Sequence, residues 1–240
     1  NKTDITCNNA NDGTITVTAS GGFTSAYTYE IAGPVTIFQT TNKFTGLAAG
    51  VYDVKVIDSK GCESAVVQVT IANPTPITAN ASASTFSCSP TNTKQAAIIT
   101  VAPTGGTGTY TYSYDNGVTF GNNATRVVND NGLTQTFNII VRDANGCLSP
   151  MEAIVLAPLN KPTDLTFANA AVTCTATTTT VSVTATNGVG ALSFLITGTN
   201  SGTAASNFGP ITTAGSSVAA DFPNLLPGNY TFRVTDANGC

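Results

Sequence analysis

The fold is decided by GVYDVKVIDSKGC at residues 50–62, a stretch that occurs three times in the chain. The other copies are FNIIVRDANGC at residues 137–147 and GNYTFRVTDANGC at residues 228–240. In each copy an aromatic residue stands six positions before an aspartate, and a cysteine follows that aspartate by four. Apolar and polar residues alternate before the aspartate, which is the pattern of a half-buried β-strand. The chain is therefore predicted to consist of repeats that each close with a strand and a turn.

Two further blocks lie upstream of each closing stretch. The first reads GTITVTASGG at 13–22, AIITVAPTGG at 97–106 and TVSVTATNG at 180–188. The second is alternating aromatic or apolar text: YTYEI at 27–31, YTYSY at 110–114 and LSFLI at 192–196. Short strands separated by Gly, Asn and Pro, about seven in a unit of roughly 85 residues, are typical of an immunoglobulin-like sandwich. We predict an all-β fold of tandem immunoglobulin-like β-sandwich repeats.

Proline-rich segments at residues 73–76 and 157–162 separate the copies. We therefore predict repeat 1 at residues 1–73, repeat 2 at 77–158 and repeat 3 at 163–240. The third copy stops at its cysteine, so its last strand is expected to lie outside this chain. Because the chain starts without Met or a signal peptide, both ends are expected to be cut from a longer protein.

The closing stretch also predicts its own turn. Asp opens a type I turn, and Gly takes the left-handed position that completes it, which would join the last two strands as a hairpin. These structural residues are Asp58, Gly61, Asp143, Gly146, Asp236 and Gly239. Residues 47–52 and 225–230 resemble a tyrosine corner, whereas the middle copy has Phe137 and lacks the hydroxyl.

Composition excludes several classes of function. Nine Lys and Arg residues in 240 cannot form the basic face that nucleic acid requires. No apolar window is long enough to cross a membrane, so no membrane insertion is predicted for this segment. The chain has no His, which removes Ser-His-Asp and Cys-His nucleophilic sites. We predict no catalytic residue, no cofactor and no enzymatic activity.

Metal binding is not predicted either. Two Cys per repeat, with no C-x-x-C and no His, cannot supply the four ligands of a zinc site within one repeat. Calcium needs six to eight converging oxygens, and the candidate aspartates are isolated in the sequence. Those aspartates are Asp12, Asp58, Asp115, Asp130, Asp143 and Asp236.

The order of these motifs resembles the SprB repeat. The shared features are a cysteine, then Gly-x-Ile-x-Val, Gly-Gly and Tyr-x-Tyr, and last Leu-x-x-Gly-x-Tyr-x-Val-x-Val-x-Asp-x-x-Gly-Cys, best seen at residues 47–62. The SprB repeat occurs in very large surface adhesins of gliding Bacteroidota and in related secreted proteins. The resemblance implies type IX secretion, display on the cell surface, a role in adhesion or gliding, and no catalytic residues.

The six cysteines fall two to a repeat, which indicates disulfides formed in an oxidising compartment. Pairing within each repeat is predicted, because each unit then closes on itself: Cys7 with Cys62, Cys88 with Cys147, and Cys174 with Cys240. A rival pairing joins neighbouring repeats through Cys62–Cys88 and Cys147–Cys174. Free buried thiols are the third alternative.

The paired tyrosines give two interpretations of function. Their period of two places each set on one strand face, which is either core or a surface on which sugars stack. The residues are Tyr27, Tyr29, Tyr110, Tyr112 and Tyr114. The leading hypothesis is a structural stalk of a cell-surface adhesin, in which the partners are neighbouring repeats. The alternative is a module that binds surface polysaccharide.

Overall fold

A computed structural model describes residues 1–23 and 26–240. It is built from short β-strands, and the one helix among the described residues is the 3-10 turn Ala205–Asn207. The predicted all-β class is confirmed.

The described residues of repeat 1 form a sandwich of seven strands in two sheets. They are β1 (Lys2–Thr3), β2 (Gly13–Thr16), β3 (Thr28–Ala32), β4 (Ile37–Gln39), β5 (Lys43–Leu47), β6 (Gly50–Ile57) and β7 (Val67–Ile71). One sheet has the order β1-β2-β5 and the other β4-β3-β6-β7, and neighbouring strands in both sheets are antiparallel. This is the immunoglobulin-like arrangement that the sequence predicts.

The core of repeat 1 lies between these sheets. Strand β6 shows how alternation along a strand builds this core. Tyr52 and Val54 are buried, while Val51 and Asp53 on the opposite face of the strand are exposed. The other buried members come from both sheets: Ile5, Ile15, Tyr29, Ile31, Phe44, Leu47 and Ile71. The two-residue period of the sequence therefore sets which side chains meet across the sandwich.

Repeat 2 contains eight strands in three sheets. They are β8 (Ala81–Ala83), β9 (Ser87–Cys88), β10 (Lys94–Gln95), β11 (Ala97–Val101), β12 (Thr111–Ser113), β13 (Thr125–Val128), β14 (Gln135–Arg142) and β15 (Glu152–Leu156). Strands β13-β11-β8 and β12-β14-β15 form three-stranded sheets, and β9 pairs with β10.

Repeat 3 has six strands. They are β16 (Thr163–Asn169), β17 (Thr179–Thr186), β18 (Leu192–Thr199), β19 (Ile211–Thr213), β20 (Ala220–Leu225) and β21 (Tyr230–Thr235). The sheets are β16-β17-β20 and β19-β18-β21, and Val183, Phe194 and Phe222 between them are fully buried. In repeat 1 strand β6 pairs with both β3 and β7, whereas in the described part of repeat 3 strand β21 pairs with β18 alone.

The chain divides into two compact units. The first comprises residues 1–81, 101–124 and 137–153, and the second comprises residues 82–100, 125–136 and 154–240. The repeat boundaries drawn from the proline-rich segments stay a prediction.

Both predicted tyrosine corners are present. The hydroxyl of Tyr52 donates to the carbonyl of Ala48 at 3.0 Å, and that of Tyr230 donates to the carbonyl of Leu226 at 2.7 Å. Burial raises the pKa of Tyr52. Each corner fixes the chain where it enters the strand that leads to the closing aspartate.

Candidate functional site

The closing aspartate forms the same hydrogen-bond network in all three repeats. In repeat 2 the Oδ1 atom of Asp143 accepts from the backbone N–H groups of Asn145 and Cys147, both at 2.9 Å. Its Oδ2 atom accepts from the N–H of Thr107, next to the Gly-Gly pair, at 2.9 Å. The carboxylate therefore joins the cysteine turn to the loop that follows the second strand block.

The other two copies repeat this network atom for atom. Asp58 accepts from the N–H groups of Lys60, Cys62 and Phe23 at 2.8–3.0 Å. Asp236 accepts from those of Asn238, Cys240 and Val189 at 2.9–3.1 Å.

The predicted turn geometry is also present in each copy. Gly61 has φ +85°, and its N–H donates to the carbonyl of Asp58 at 3.0 Å, while Gly146 and Gly239 also have positive φ. The N–H of Phe23, then that of Cys62, lowers the pKa of Asp58. The ionised aspartate thus holds a rigid hairpin end that presents a cysteine.

The two cysteines of repeat 1 lie at opposite ends of the sandwich. Cys62 follows the Ile57 end of β6, whereas the loop of Cys7 lies beside the linker that follows β7. There the side-chain amide of Asn8 donates to the carbonyl of Pro74 at 2.9 Å. Since β6 pairs antiparallel with β7 and has eight residues, its ends are about 25 Å apart.

The predicted pairing within each repeat is therefore wrong. A disulfide needs Cα atoms within about 7 Å, which the two ends of one sandwich cannot provide. The disulfides instead join the first cysteine of one repeat to the closing cysteine of the next. Cys7 bonds to Cys147 with a Cα–Cα distance of 5.6 Å, and Cys88 bonds to Cys240 at 4.8 Å.

The rival pairing through Cys62–Cys88 and Cys147–Cys174 is also wrong, although it correctly linked neighbours. The rival pairing bonds the closing cysteine of one repeat to the first cysteine of the next. In the structure the first cysteine of one repeat bonds to the closing cysteine of the next. Of the six predicted disulfide cysteines, Cys62 and Cys174 are unpaired and exposed in the described part of the chain.

Polar contacts accompany the Cys7–Cys147 bond. The side-chain amide of Asn145 donates to the carbonyl of Thr6 at 3.3 Å. Residues 6–8 face Gly106, Asp143 and the linker prolines around a cavity of about 270 Å³. Sequence reasoning missed these joint residues, although the hydroxyl residue before each first cysteine (Thr6, Ser87, Thr173) is a signal they share.

The second joint has matching contacts. The N–H of Cys88 donates to the carbonyl of Asn238 at 2.9 Å, so the two segments also meet through their backbones. The ammonium of Lys161, in the linker, contacts the carbonyl of Asn92 in the Cys88 loop at 3.5 Å. Both first cysteines therefore lie in loops that are bound to the linker ahead of them.

The tyrosine sets are partly used for structure. Tyr29 is buried in the core of repeat 1. The hydroxyls of Tyr27 and Tyr110 donate to the carbonyls of Gly21 and Gly105, the first glycine of each Gly-Gly pair. The structure gives Tyr112 and Tyr114 intermediate exposure, and sugar stacking on this set stays a prediction.

The aspartates considered for calcium are occupied by protein donors. Asp12 accepts from the N–H of Thr6, Asp115 from that of Thr119, and Asp130 from the ammonium of Lys94. Residues 1–23 and 26–240 contain no group of three or more Cys, Asp or Glu side chains arranged to hold a metal ion. The same residues include no helix long and apolar enough to span a membrane.

Comparison with known proteins identifies a family that repeat 1 resembles. The family model of the SprB repeat matches residues 1–36. The resemblance drawn from the motifs is confirmed there. The matched residues contain the first cysteine, the Gly-x-Ile-x-Val block and the Tyr-x-Tyr pair of repeat 1. No curated protein matches the chain. Among solved structures, the FN1–FN3 domains of chicken CNTN1 align at 14% identity with a TM-score of 0.37, covering 99% of this chain and 94% of that one.

Proposed function

We propose that this chain is a stalk segment of a cell-surface adhesin-type protein, in which covalently joined repeats resist mechanical force. One observation carries the proposal: the first cysteine of a repeat is bonded to the closing cysteine of the next repeat, twice in one chain. Such a linkage strengthens a stalk under tension, because the disulfides continue to carry the force when a repeat unfolds.

The two disulfides sharply limit how far the chain can extend. After complete unfolding, the shortest covalent path runs through the six residues that precede Cys7, crosses to Cys147, returns to Cys88 and crosses to Cys240. Its main part is the segment from Cys88 to Cys147, which spans 59 residue steps. At about 3.5 Å per residue this path spans about 230 Å, against about 800 Å for the reduced chain.

The disulfides and the similarity to the SprB repeat also support a location outside the cell. Disulfides persist outside the cell and are rare in the cytosol, so the joints support an extracellular place for this segment. The SprB repeat supports surface display, and with it export by type IX secretion and a role in adhesion or gliding. The proposed partners are neighbouring repeats of the same chain.

Single-molecule extension tests the proposal. The chain is held by tags at both termini and pulled with and without a reductant. We expect a final contour length of about 230 Å when oxidised and about 800 Å when reduced. Extension to the full length under oxidising conditions would contradict the stalk mechanism. Strong binding of the oxidised chain on a glycan array would instead favour the polysaccharide module.

A further inference from the structure

The two exposed cysteines occupy the same places in their repeats as the four bonded ones. Cys62 corresponds to Cys147 and Cys240, and Cys174 corresponds to Cys7 and Cys88. We infer that Cys62 and Cys174 are the two complementary halves of a further joint, each presented on a surface that receives another repeat of this type. This inference rests on the joint that the proposed function also uses.

An open cavity supports the inference on the Cys62 side. It measures about 610 Å³ and lies at the Cys62 end of repeat 1, and its lining includes the apolar side chains of Val17 and Val56. Gly22, Asp58 and Cys62 line it, as Gly106, Asp143 and Cys147 line the smaller cavity of the formed joint. In that joint, residues 6–8 of the preceding repeat contribute to the lining. The larger cavity is thus the surface of repeat 1 that corresponds to the joint surface of repeat 2, but with no preceding repeat packed against it.

Burial of equivalent residues shows the same difference. Asp143 is 5% exposed and Ser149 6% exposed in the formed joint, whereas Asp58 is half-buried and Ser64 is exposed. The serines are true equivalents, because each hydroxyl accepts from a backbone N–H at 3.0 Å (Val141 and Val56) and donates to the next carbonyl. Identical local geometry with different exposure indicates a missing cover, not a different fold.

On the Cys174 side the thiol is free and exposed. The apolar residue two positions before the first cysteine is buried in the joined repeats, at 3% exposure for Ile5 and 2% for Phe86. Its counterpart Val172 is 42% exposed. Because Ile5 belongs to the core of its own repeat, this difference reflects packing within the repeats. The cysteines themselves carry the comparison, since Cys7 and Cys88 are half-buried in the formed joints and Cys174 is exposed.

The occupant is another repeat because the two surfaces are complementary. In the Cys174 loop, Thr173 stands at the position of Thr6, whose backbone carbonyl accepts a hydrogen bond from Asn145 in the formed joint. Opposite, Lys60 stands in the position of Asn145 and also carries a side-chain donor. A second copy of this chain supplies both halves, so the joint can form head to tail between copies.

The covalent step is a thiol–disulfide exchange. A thiolate at Cys62 attacks a small disulfide such as oxidised glutathione and releases one glutathione thiolate. The thiolate of Cys174 then displaces the second, which leaves the Cys62–Cys174 bond and two reduced glutathione molecules. The small disulfide is the oxidant, and each protein thiol gives up its proton to solvent.

Complementary single variants test the inference. Cys62→Ser leaves only the Cys174 thiol, and Cys174→Ser leaves only that of Cys62. Each variant is incubated with oxidised glutathione alone and in an equimolar mixture, and products are resolved on non-reducing gels with peptide mass mapping. We expect the mixture to give the Cys62–Cys174 dimer in about tenfold or greater excess over either homodimer, equivalent to a docking preference of about 1.4 kcal/mol. The unmodified chain is expected to form head-to-tail oligomers.

A displaced thiol is the matched control. In Cys62→Ser/Cys174→Ser/Ser217→Cys the single thiol lies at an exposed position outside the joint, and it should link to Cys62 about tenfold less than Cys174 does. Equal yields with this control, equal amounts of homodimer, an internal Cys62–Cys174 bond, or no cross-link would each overturn the inference. The force experiment depends only on the four bonded cysteines, so its failure and this one are distinguishable.

Discussion

At the scale of single residues, three aspartates carry out one structural task. Each carboxylate holds three backbone N–H groups from two separate loops, and such charge-assisted bonds are stronger than neutral ones. The sequence places the aspartate and the glycine of the turn correctly because their roles are local. The third donor, from Thr107 in the case of Asp143, comes from 36 residues away, so no local pattern could reveal it.

Asp143→Asn is expected to destabilise the first unit by about 1.5–3 kcal/mol. The amide has a single acceptor oxygen, so it cannot satisfy both the turn and the N–H of Thr107. Urea unfolding measures the change. Asp53→Asn, at an exposed position on β6, is the control and should change the free energy of unfolding by less than about 0.5 kcal/mol. Equal effects of the two substitutions would contradict the role of Asp143.

Asp115 provides a test in acid. The hydroxyl of Thr119, followed by its N–H and the hydroxyl of Ser113, lowers the pKa of Asp115 to about 2. Because the folded pKa lies below the unfolded value, the stabilisation is fully present above about pH 4 and is lost as pH falls through about 2. NMR titration should find this midpoint, and Thr119→Val should move it upward. Thr134→Val, at an exposed position, should leave it unchanged, and a wild-type midpoint near 4 would refute the assignment.

At the scale of the elements, the number of strands between the two cysteines of a repeat explains why they do not bond to each other. Successive strands of the sandwich run in alternating directions, so successive loops alternate between its two ends. Cys7 lies in the first loop, between β1 and β2, and Cys62 lies in the sixth, between β6 and β7. Odd and even loops are at opposite ends, which forbids the pairing within a repeat.

The strand pattern could therefore be predicted, but the joint could not. Periodicity places Tyr52 and Val54 inward because burial on a strand depends on neighbouring positions. Pairing Cys7 with Cys147 depends on which loop ends meet across a linker, a relation that spans 140 residues. Counting loops along the sequence would have removed the wrong pairing, but it would not have identified the partner.

The tyrosine corner predicts a modest effect at the β5–β6 turn. Tyr52→Phe removes the hydroxyl bond to Ala48 within a fully buried side chain, and should cost about 1 kcal/mol of unfolding free energy. Thermal unfolding detects the loss. Repeat 2 naturally has Phe137 at the position of Tyr52. Phe137→Tyr is therefore the comparison, and it should not lower the free energy of unfolding by about 1 kcal/mol. A neutral Tyr52→Phe would show that the corner contributes no stability.

At the scale of the whole molecule, the two disulfides overlap in sequence. The loop from Cys7 to Cys147 and the loop from Cys88 to Cys240 share residues 88–147. Repeat 2 is thus bonded both to the repeat before it and to the repeat after it. Tension applied at the termini therefore reaches repeat 2 through covalent bonds on both sides.

Removing one joint should show how much this linkage stabilises the fold. Cys7→Ser/Cys147→Ser opens a loop of 140 residues, and the loss of loop-closure entropy in the unfolded chain corresponds to at most about 5 kcal/mol. We expect a loss of about 3–5 kcal/mol in denaturant unfolding of the oxidised protein. Under a reductant, the variant and the wild type should unfold alike, because neither then carries this bond. Cys62→Ser, compared with the wild type as oxidised monomers, is the control for the loss of a cysteine. It should have almost no effect because that thiol is exposed and forms no disulfide within the chain. If Cys62→Ser destabilised the protein as much as the double variant did, the bonded and unpaired cysteines would have to be reassigned, and the head-to-tail joint would lose its basis.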